Sequence, residues 1–309
     1  MRILLSRFTK PRSWWQAPLV VICSLAVPVG AVPFSFSTGN PDGLIATASR
    51  PSGAGKIEIE SADDFILATS TNINHATFTG LLPTGTSLGD INNVRVEIYR
   101  VFPKDSANPP SGNVPTRVNS PSDVAFAERD VAGGTLSFTA SILNANFAAG
   151  NSVLNGINKS PSQFTGGEGA VNGEEVLFDI TLSSAFSLPA DHYFFIPQVA
   201  LSNGDFLWLS APKPIVAPGT PFAPDLQSWI RNENLAPDWL RIGTDIVHAG
   251  PFNAAFSLSG ETIPEPATLA LFGVSLIFLA CGRKTMPERL RVAAITIKQN
   301  GCPKTAVLF

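Results

Sequence analysis

Paired carboxylates are the residues in this sequence whose type and spacing come nearest to enzyme chemistry. Two carboxylates that face each other across a sugar are sufficient for glycoside hydrolysis. None of the pairs has a spacing that specifies such a site, and acids on a strand edge commonly prevent edge-to-edge aggregation. We therefore interpret the pairs as solvated strand edges. The four pairs are Glu58 with Glu60, Asp63 with Asp64, Glu128 with Asp130, and Glu174 with Glu175.

Metal binding is a weaker hypothesis for the same acids. Hard cations such as Ca²⁺ prefer clustered carboxylate and carbonyl oxygens, which suggests calcium at Asp63 or Asp64, although no complete calcium-loop pattern is present. The three histidines, His75, His192 and His248, have no second histidine at metal-ligand spacing. An isolated histidine in a strand is more often a hydrogen-bonded structural residue than a ligand. We predict no metal site and no cofactor.

Two segments resemble a nucleophile motif and a phosphate-binding motif, but both lack features that these motifs require. Residues 85–89, GTSLG, match the G-x-S-x-G pattern around Ser87, but that elbow needs a strand before the serine and a helix after it. Both flanks here are loop-like, so we do not expect Ser87 to be catalytic. Residues 52–56, SGAGK, form a glycine-rich turn, because Arg50 and Ile57 replace residues that a phosphate loop requires. We predict no catalytic residue and a protein that is not an enzyme.

The cysteines and the charges divide the chain into three parts. Cys23, Cys281 and Cys302 all lie outside residues 32–263, so this region has no disulfide, cysteine-based zinc site or thiol nucleophile. It contains eleven Lys and Arg against 22 Asp and Glu, a net charge of −11, between two basic ends. An acidic body argues against nucleic acid as a partner and is compatible with cations or neutral glycans.

The elements that position these residues are predicted to be short strands. Alternating, β-branched or aromatic segments are typical of half-buried strands, and turn residues separate them. Many such segments and almost no helix indicate a single antiparallel β-sandwich of jelly-roll type. The predicted strands cover residues 63–70, 74–82, 93–102, 134–141, 175–183, 192–201, 205–210 and 253–261.

Three local patterns make more detailed predictions. In the strand at 93–102, Val94, Val96 and Ile98 form one face, which we expect to be buried, and Arg95, Glu97 and Tyr99 form a wet face. Ser202-Asn203-Gly204 predicts a hairpin between two strands. Residues 224–236, PDLQSWIRNENLA, predict a helix with Leu226, Trp229 and Ile230 on one side and Asp225 as its cap. The three patterns lie at residues 93–102, 202–204 and 224–236.

Two proline-rich connections and three tryptophans leave a binding function open. The connections at 102–123 and 211–225 are long enough to form binding loops at the end of a sandwich, and are equally well explained as stiff surface spacers. Trp208, Trp229 and Trp239 suggest a platform for stacking sugars, although aromatic residues in strands and amphipathic helices usually belong to the core. A carbohydrate-binding module is therefore the alternative to a protein without a ligand, and a secreted hydrolase is the third hypothesis.

The N-terminal segment has the features of a secretory signal peptide. Arg2, Arg7, Lys10 and Arg12 precede an apolar run of about ten residues, and Val-Gly-Ala follows as a cleavage site. The run is too short for a transmembrane helix and contains a proline. We predict residues 1–31 to be a signal peptide that is cleaved after Ala31.

The segment that begins at Ile263 resembles the PEP-CTERM sorting signal of exported Gram-negative bacterial proteins, which is also labelled an ice-binding-protein C-terminal domain. The matching features are Pro264-Glu265-Pro266, the apolar run ATLALFGVSLIFLA, and the basic pair Arg283 and Lys284. The 15 largely apolar residues at 267–281 would form about 22 Å of helix, a short span for a hydrocarbon core of about 30 Å. The basic pair favours a cytoplasmic end.

The resemblance implies processing by an exosortase, which is a membrane cysteine protease that cleaves at or near the Pro-Glu-Pro residues. Proteins with this signal pass through the inner membrane to the cell surface or an exopolysaccharide matrix, and they are typically not enzymes. The predicted organisation is a signal peptide at 1–31, a β-sandwich ectodomain at 32–263, a sorting and transmembrane segment at 264–285, and a basic cytoplasmic tail at 286–309 without an assigned role.

Overall fold

All eight predicted strands are present in the structure, a computed structural model that describes residues 30–158, 165–213 and 225–264. Within these residues the chain is mostly β structure, as predicted, and residues Gly30–Pro264 form one compact unit. The strands are β1 (Pro33–Ser37), β2 (Ile45–Ala48), β3 (Ile59–Leu67), β4 (Thr71–Pro83), β5 (Ile91–Arg100), β6 (Ala127–Asp130), β7 (Leu136–Ala149), β8 (Asn151–Val153), β9 (Val171–Leu188), β10 (Asp191–Leu201), β11 (Leu207–Ala211), β12 (Trp229–Asn232), β13 (Leu240–Arg241), β14 (Asn253–Ala254) and β15 (Phe256–Thr262).

The first sheet is organised around β4. This strand pairs with β9 along its whole length, and β9 continues the sheet to β7. On its other side β4 pairs first with β15, which leads to β1, and then with β11, which leads to β2 and β8. All these pairs are antiparallel except β2 with β8. One long strand therefore joins two groups of shorter ones.

The second sheet has the strand order β13, β12, β3, β10, β5, β6, and all its described pairs are antiparallel. Strands β3 and β10 lie in its middle. Their residues are buried almost without interruption, which matches the rule that a strand covered on both faces loses the alternation of polar and apolar residues.

The two sheets share a hydrophobic core that is rich in phenylalanine. Phe195 of β10 stacks on Phe256 of β15 with ring centroids 5.0 Å apart, and it also lies 6.5 Å from Phe78 of β4. Phe36 of β1 similarly contacts Phe65 of β3 at 6.1 Å. Each of these contacts joins one sheet to the other, so burial of aromatic surface holds the two sheets together.

The prediction of a wet face on β5 is wrong. Val94, Val96 and Ile98 are buried in the shared core as predicted, but Glu97 is only 5% exposed and Tyr99 only 4%. The reason is a second layer of chain over that face. Tyr99 packs in a separate apolar cluster that includes residues 226, 229 and 239, which come from segments that no local pattern connects with β5.

The Asn-Gly turn does not form a hairpin. Residues 202–204 do turn the chain, with Gly204 at a positive φ of 72°. The strands on either side do not pair with each other, because β10 belongs to the second sheet and β11 to the first. The turn therefore carries the chain from one sheet to the other.

The predicted helix at 224–236 is also wrong. Trp229–Asn232 form strand β12, which pairs with β3, and the residues after it form a turn. Leu226, Trp229 and Ile230 are buried as expected, but Trp229 and Ile230 lie in different apolar clusters because adjacent strand residues point to opposite faces. Asp225 forms an ion pair with Lys213 at 3.0 Å instead of capping a helix.

Candidate functional site

The two ends of the described chain meet on neighbouring strands of the first sheet. Strand β1 runs antiparallel to β15, and Pro33 lies opposite Glu261. The amide of Thr262 donates to the carbonyl of Val32 at 2.8 Å, and the amide of Val32 donates to Oγ1 of Thr262 at 3.2 Å. The residue after the predicted signal-peptide cut thus lies beside the last residue of the last strand.

Pairing stops where the predicted sorting motif begins. The amide of Ile263 still donates to the carbonyl of Ser70 at 2.7 Å. Pro264 follows, and it cannot extend the pairing because proline has no N–H. Ala31 and Ile263 are both exposed. We call Ala31, Val32 and residues 262–264 the sorting junction. It presents both predicted processing points at the same end of the first sheet.

Part of the sorting prediction falls outside the described residues. Glu265, Pro266, Arg283 and Lys284 belong to that part, as do residues 1–29 of the predicted signal peptide and the predicted span at 267–281. Among the described residues, no helix has the length and apolar character needed to cross a membrane.

Ser87 is not held in a nucleophile elbow. It precedes a single 3₁₀ turn, Leu88–Asp90, that links β4 to β5. Its hydroxyl donates to Oδ2 of Asp90 at 3.0 Å, and its amide donates to the same oxygen at 2.8 Å. These bonds stabilise the turn. Ser87 therefore lies in the connection between β4 and β5, with no helix after it other than this single turn.

Asp63 and Asp64 point to opposite faces of β3, and protein groups bind all four of their carboxylate oxygens. Asp63 accepts from the hydroxyl of Ser228 at 3.0 Å and from the amide of Ala254 at 2.8 Å. Asp64 accepts from the amide of Leu226 at 3.0 Å and lies 2.7 Å from Nε2 of His192. Burial raises the pKa of both carboxyls. The prediction of a solvated strand edge is wrong for this pair.

These donors already occupy the carboxylate oxygens that the calcium hypothesis would use. Within the described ranges, no group of three or more His, Cys, Asp or Glu side chains is placed to hold a metal ion. His75 and His192 behave as the sequence suggests, since Nε2 of His75 lies 2.9 Å from Oδ1 of Asp179 and His192 bonds to Asp64.

Glu60 is the centre of a buried ionic network, so the strand-edge prediction is wrong for Glu60, while Glu58 lies half-buried just before β3. Arg231 lies directly opposite Glu60 on β12, and its guanidinium forms a two-point ion pair with the Glu60 carboxylate, through Nε to Oε2 and through a terminal nitrogen to Oε1 at 3.1 Å. The hydroxyl of Tyr99 donates to Oε1 of Glu60 at 2.7 Å. The guanidinium carbon also lies 4.4 Å from the ring centre of Trp239.

Glu97 lies beside this network, but its buried carboxylate has fewer bonding partners than the carboxylate of Glu60. Its nearest cation is Arg95, whose terminal nitrogen is 3.6 Å from Oε1, and its Oε2 has no hydrogen-bond partner. Burial, followed by repulsion from Glu60 and Glu58, raises the pKa of Glu97 to about 9. The group is therefore protonated at neutral pH. Burial, followed by repulsion from Glu60, also raises the pKa of Glu58.

The other two acid pairs differ from each other. Glu128 and Asp130 lie on β6, which pairs only with β5 within the described residues, so the strand-edge prediction is confirmed for them. Glu174 and Glu175 lie in the middle of the first sheet on β9, between β4 and β7. The prediction of a strand edge is wrong for this pair.

The tryptophans do not form a sugar-stacking platform. Trp208, Trp229 and Trp239 are all at most 1% exposed, so none presents a ring face to a ligand. The first proline-rich connection is not a free loop, because its Arg117 is buried and forms ion pairs with Asp123 at 2.8 Å and with Asp238 at 3.1 Å. Most of the second connection lies outside the described residues.

Sequence reasoning missed the Glu60–Arg231 pair because its members are 171 residues apart. A weak signal did exist. Arg231 directly follows two large apolar residues, Trp229 and Ile230, and Glu60 belongs to a segment that continues into the apolar end of β3. Charged residues that interrupt such segments are buried only when they are paired.

The similarity of this chain to known proteins lies in the segment that begins at the sorting junction. No curated protein and no solved structure matches the chain. A family model for the PEP-CTERM protein-sorting motif matches residues 262–284. The match begins at Thr262, the last residue of β15, two residues before Pro264. The chain therefore carries a PEP-CTERM protein-sorting motif that starts where its described β structure stops.

Proposed function

We propose that this protein is an exported bacterial cell-surface or exopolysaccharide-matrix protein. An exosortase would recognise its C-terminal segment and cleave at or near Pro264-Glu265-Pro266. The observation that carries the proposal is the PEP-CTERM match at 262–284. The body would reach the outside by a signal peptide at 1–31, and the apolar residues at 267–281 would hold it in the inner membrane until cleavage. The basic pair Arg283 and Lys284 would then lie on the cytoplasmic side.

The geometry of the sorting junction is compatible with such processing. A protease needs an extended and accessible segment, and Ile263 is exposed at the point where the last strand ends. Because Ala31 lies just before β1, which pairs with β15, both proposed cuts would release the body from the same side. Neither cut would break a strand of the body, since Pro33 and Thr262 are the outermost paired residues of β1 and β15.

For the exported body we propose a single β-sandwich of jelly-roll type over 32–263. Support comes from the aromatic contacts that join the two sheets, such as Phe195 with Phe256. Outside the body, we propose that residues 264–285 are the sorting segment and residues 286–309 a basic cytoplasmic tail.

We further propose that the body is not an enzyme. The carboxylates that would be first choices for acid–base chemistry are bound to the protein itself: Glu60 to Arg231, and Asp63 to Ser228 and Ala254. A hydrolase would instead require two carboxylates that face a substrate. Turnover of a bacterial polysaccharide that disappears when one acid pair is changed would overturn this part of the proposal.

Changing both prolines of the motif tests the sorting function. In a host with an exosortase, we expect Pro264→Ala with Pro266→Ala to stay at full length in the membrane fraction, because the recognition residues are lost. The readout is immunoblotting of membrane, cell-surface and medium fractions. Pro110→Ala with Pro115→Ala is the matched control, because both prolines lie in an exposed connection of the body. Maturation of the motif variant at the wild-type rate would refute the assignment.

A further inference from the structure

A groove of about 570 Å³ lies on the outer face of the first sheet, away from the core. Its floor includes Thr77 and Thr79 of β4 and Leu177 of β9, whose neighbours Phe78 and Phe178 point inward to the core. Adjacent strand residues point to opposite faces, so these floor residues face outward. Every residue that lines the groove belongs to the described part of the chain.

The walls of the groove are partly apolar. Leu143 and Phe147 of β7 form one side, and Asn40 and Pro41 contribute to another. Leu143 is 54% exposed, so its apolar side chain is open to contact with a ligand. The pairing of β7 with β9 shifts register twice between residues 142 and 147. Such bulges re-aim side chains next to binding sites, and here they lie along the rim of the groove.

Glu175 is the charged group of the groove. Its half-buried side chain shares the outward face of β9 with Leu177, and among the described residues its carboxylate has no hydrogen-bond or ion-pair partner. Loss of water around it raises the pKa of Glu175. A partly desolvated carboxylate without a partner has both oxygens available to accept hydrogen bonds from a ligand.

The other polar groups of the groove are uncharged. They include the hydroxyl of Thr79 and the amide of exposed Asn40, and the hydroxyls of Thr77 and Ser257 lie 2.6 Å from each other. With Glu175 as the sole charged residue among those that line it, the groove repels anions. The groove combines partly apolar walls with hydroxyl and amide groups and one carboxylate, so it offers both apolar contacts and hydrogen bonds to a ligand.

We propose that this groove binds a neutral polysaccharide. Sugar hydroxyls would donate to the two oxygens of Glu175, and the apolar CH face of a sugar ring would pack against Leu143 and Phe147. Neutral sugars match the chemistry because they supply many hydroxyl donors and carry no negative charge. The inference rests on the proposed function in one respect, because the protein must be exported to meet an extracellular polysaccharide. The binding chemistry itself is inferred from the groove residues.

The test measures binding of the full-length chain, purified in a detergent without a sugar headgroup, by isothermal titration calorimetry. The probes are neutral dextran, xylan, mannan and mixed-linkage β-glucan, with alginate as an anionic comparison. We expect binding to at least one neutral polysaccharide and none to alginate. Glu175→Gln should weaken that binding by about tenfold or more, since a charged acceptor is lost.

Glu174→Gln is the matched control, because the adjacent residue undergoes the same charge change on the opposite face of β9. It should bind like the wild type. Asn40→Ala is a second groove variant at an exposed site, and we expect it to weaken binding with an unchanged melting temperature. Absence of binding to all neutral probes, binding to alginate alone, or equal affinity of Glu175→Gln and wild type would overturn the proposal. The assay uses no exosortase, so such a failure leaves the sorting function unaffected.

Discussion

Replacing Arg231 with methionine is expected to lower the free energy of unfolding by about 3–5 kcal/mol. Methionine keeps much of the volume of the side chain but removes the charge that pairs with Glu60, which is 3% exposed. The carboxylate is then left in a buried site with the Tyr99 hydroxyl as its remaining hydrogen-bond donor. The contact of the guanidinium with Trp239 is lost as well. Urea denaturation followed by tryptophan fluorescence measures the change.

Two further variants test whether the loss of stability in Arg231→Met comes from the unpaired buried charge. Lys104→Met removes a cation whose nitrogen lies 2.6 Å from Asp191, but Lys104 is 49% exposed. Its loss should cost less than about 1 kcal/mol because solvent screens such pairs. The double variant Glu60→Gln with Arg231→Met should be more stable than Arg231→Met alone, since no unpaired charge remains. A loss in Arg231→Met that is no larger than in Lys104→Met would contradict the network.

Glu97→Gln is expected to flatten the pH dependence of stability between neutral pH and pH 9. The pKa of Glu97 is about 9 in the folded protein, against an ordinary value of 4.5, so the folded protein keeps a proton that the unfolded chain releases. The stabilising effect of this proton is complete below pH 4.5 and is lost as the pH rises through about 9. Within that window the wild type should lose about 1.4 kcal/mol per pH unit from this group.

Glutamine imitates the protonated carboxyl, so the variant should be more stable than the wild type at pH 8 and similar to it near pH 5. Glu261→Gln is the control, because it makes the same charge change at an exposed site on the first sheet. Melting temperatures measured at intervals from pH 5 to pH 9 give the slopes. Parallel slopes for Glu97→Gln and wild type would show that Glu97 is ionised throughout and would contradict the account.

The strands could be predicted because their signal is local. Alternating β-branched and aromatic residues mark segments such as 93–102 and 192–201 whatever their partners are. Short strands with few such residues, for example Asn151–Val153 and Leu240–Arg241, were not predicted, because they exist only through pairing with distant chain. The Trp229–Asn232 segment shows the same effect, since its place beside β3 overrides a helical spacing of apolar residues.

Burial of polar residues could not be predicted for the same reason. An alternating strand indicates which residues share a face, but not whether a second layer covers that face. Glu97 and Tyr99 share one side of β5 as predicted, and Leu226, Trp229 and Trp239, which pack in the same cluster as Tyr99, lie more than a hundred positions further along the chain. The sorting motif was recognisable because its chemistry is carried by consecutive residues, Pro264-Glu265-Pro266 and the apolar and basic residues after them.

The central claim is that the chain is exported and cut at its PEP-CTERM motif. Its most direct test is the intact mass of the protein recovered from the cell surface or medium of a host with an exosortase. We predict a mass that corresponds to a chain beginning at Val32 and ending at or near Pro264-Glu265-Pro266, without residues 267–309. A surface-exposed or released protein that still ends at Phe309 would contradict the account.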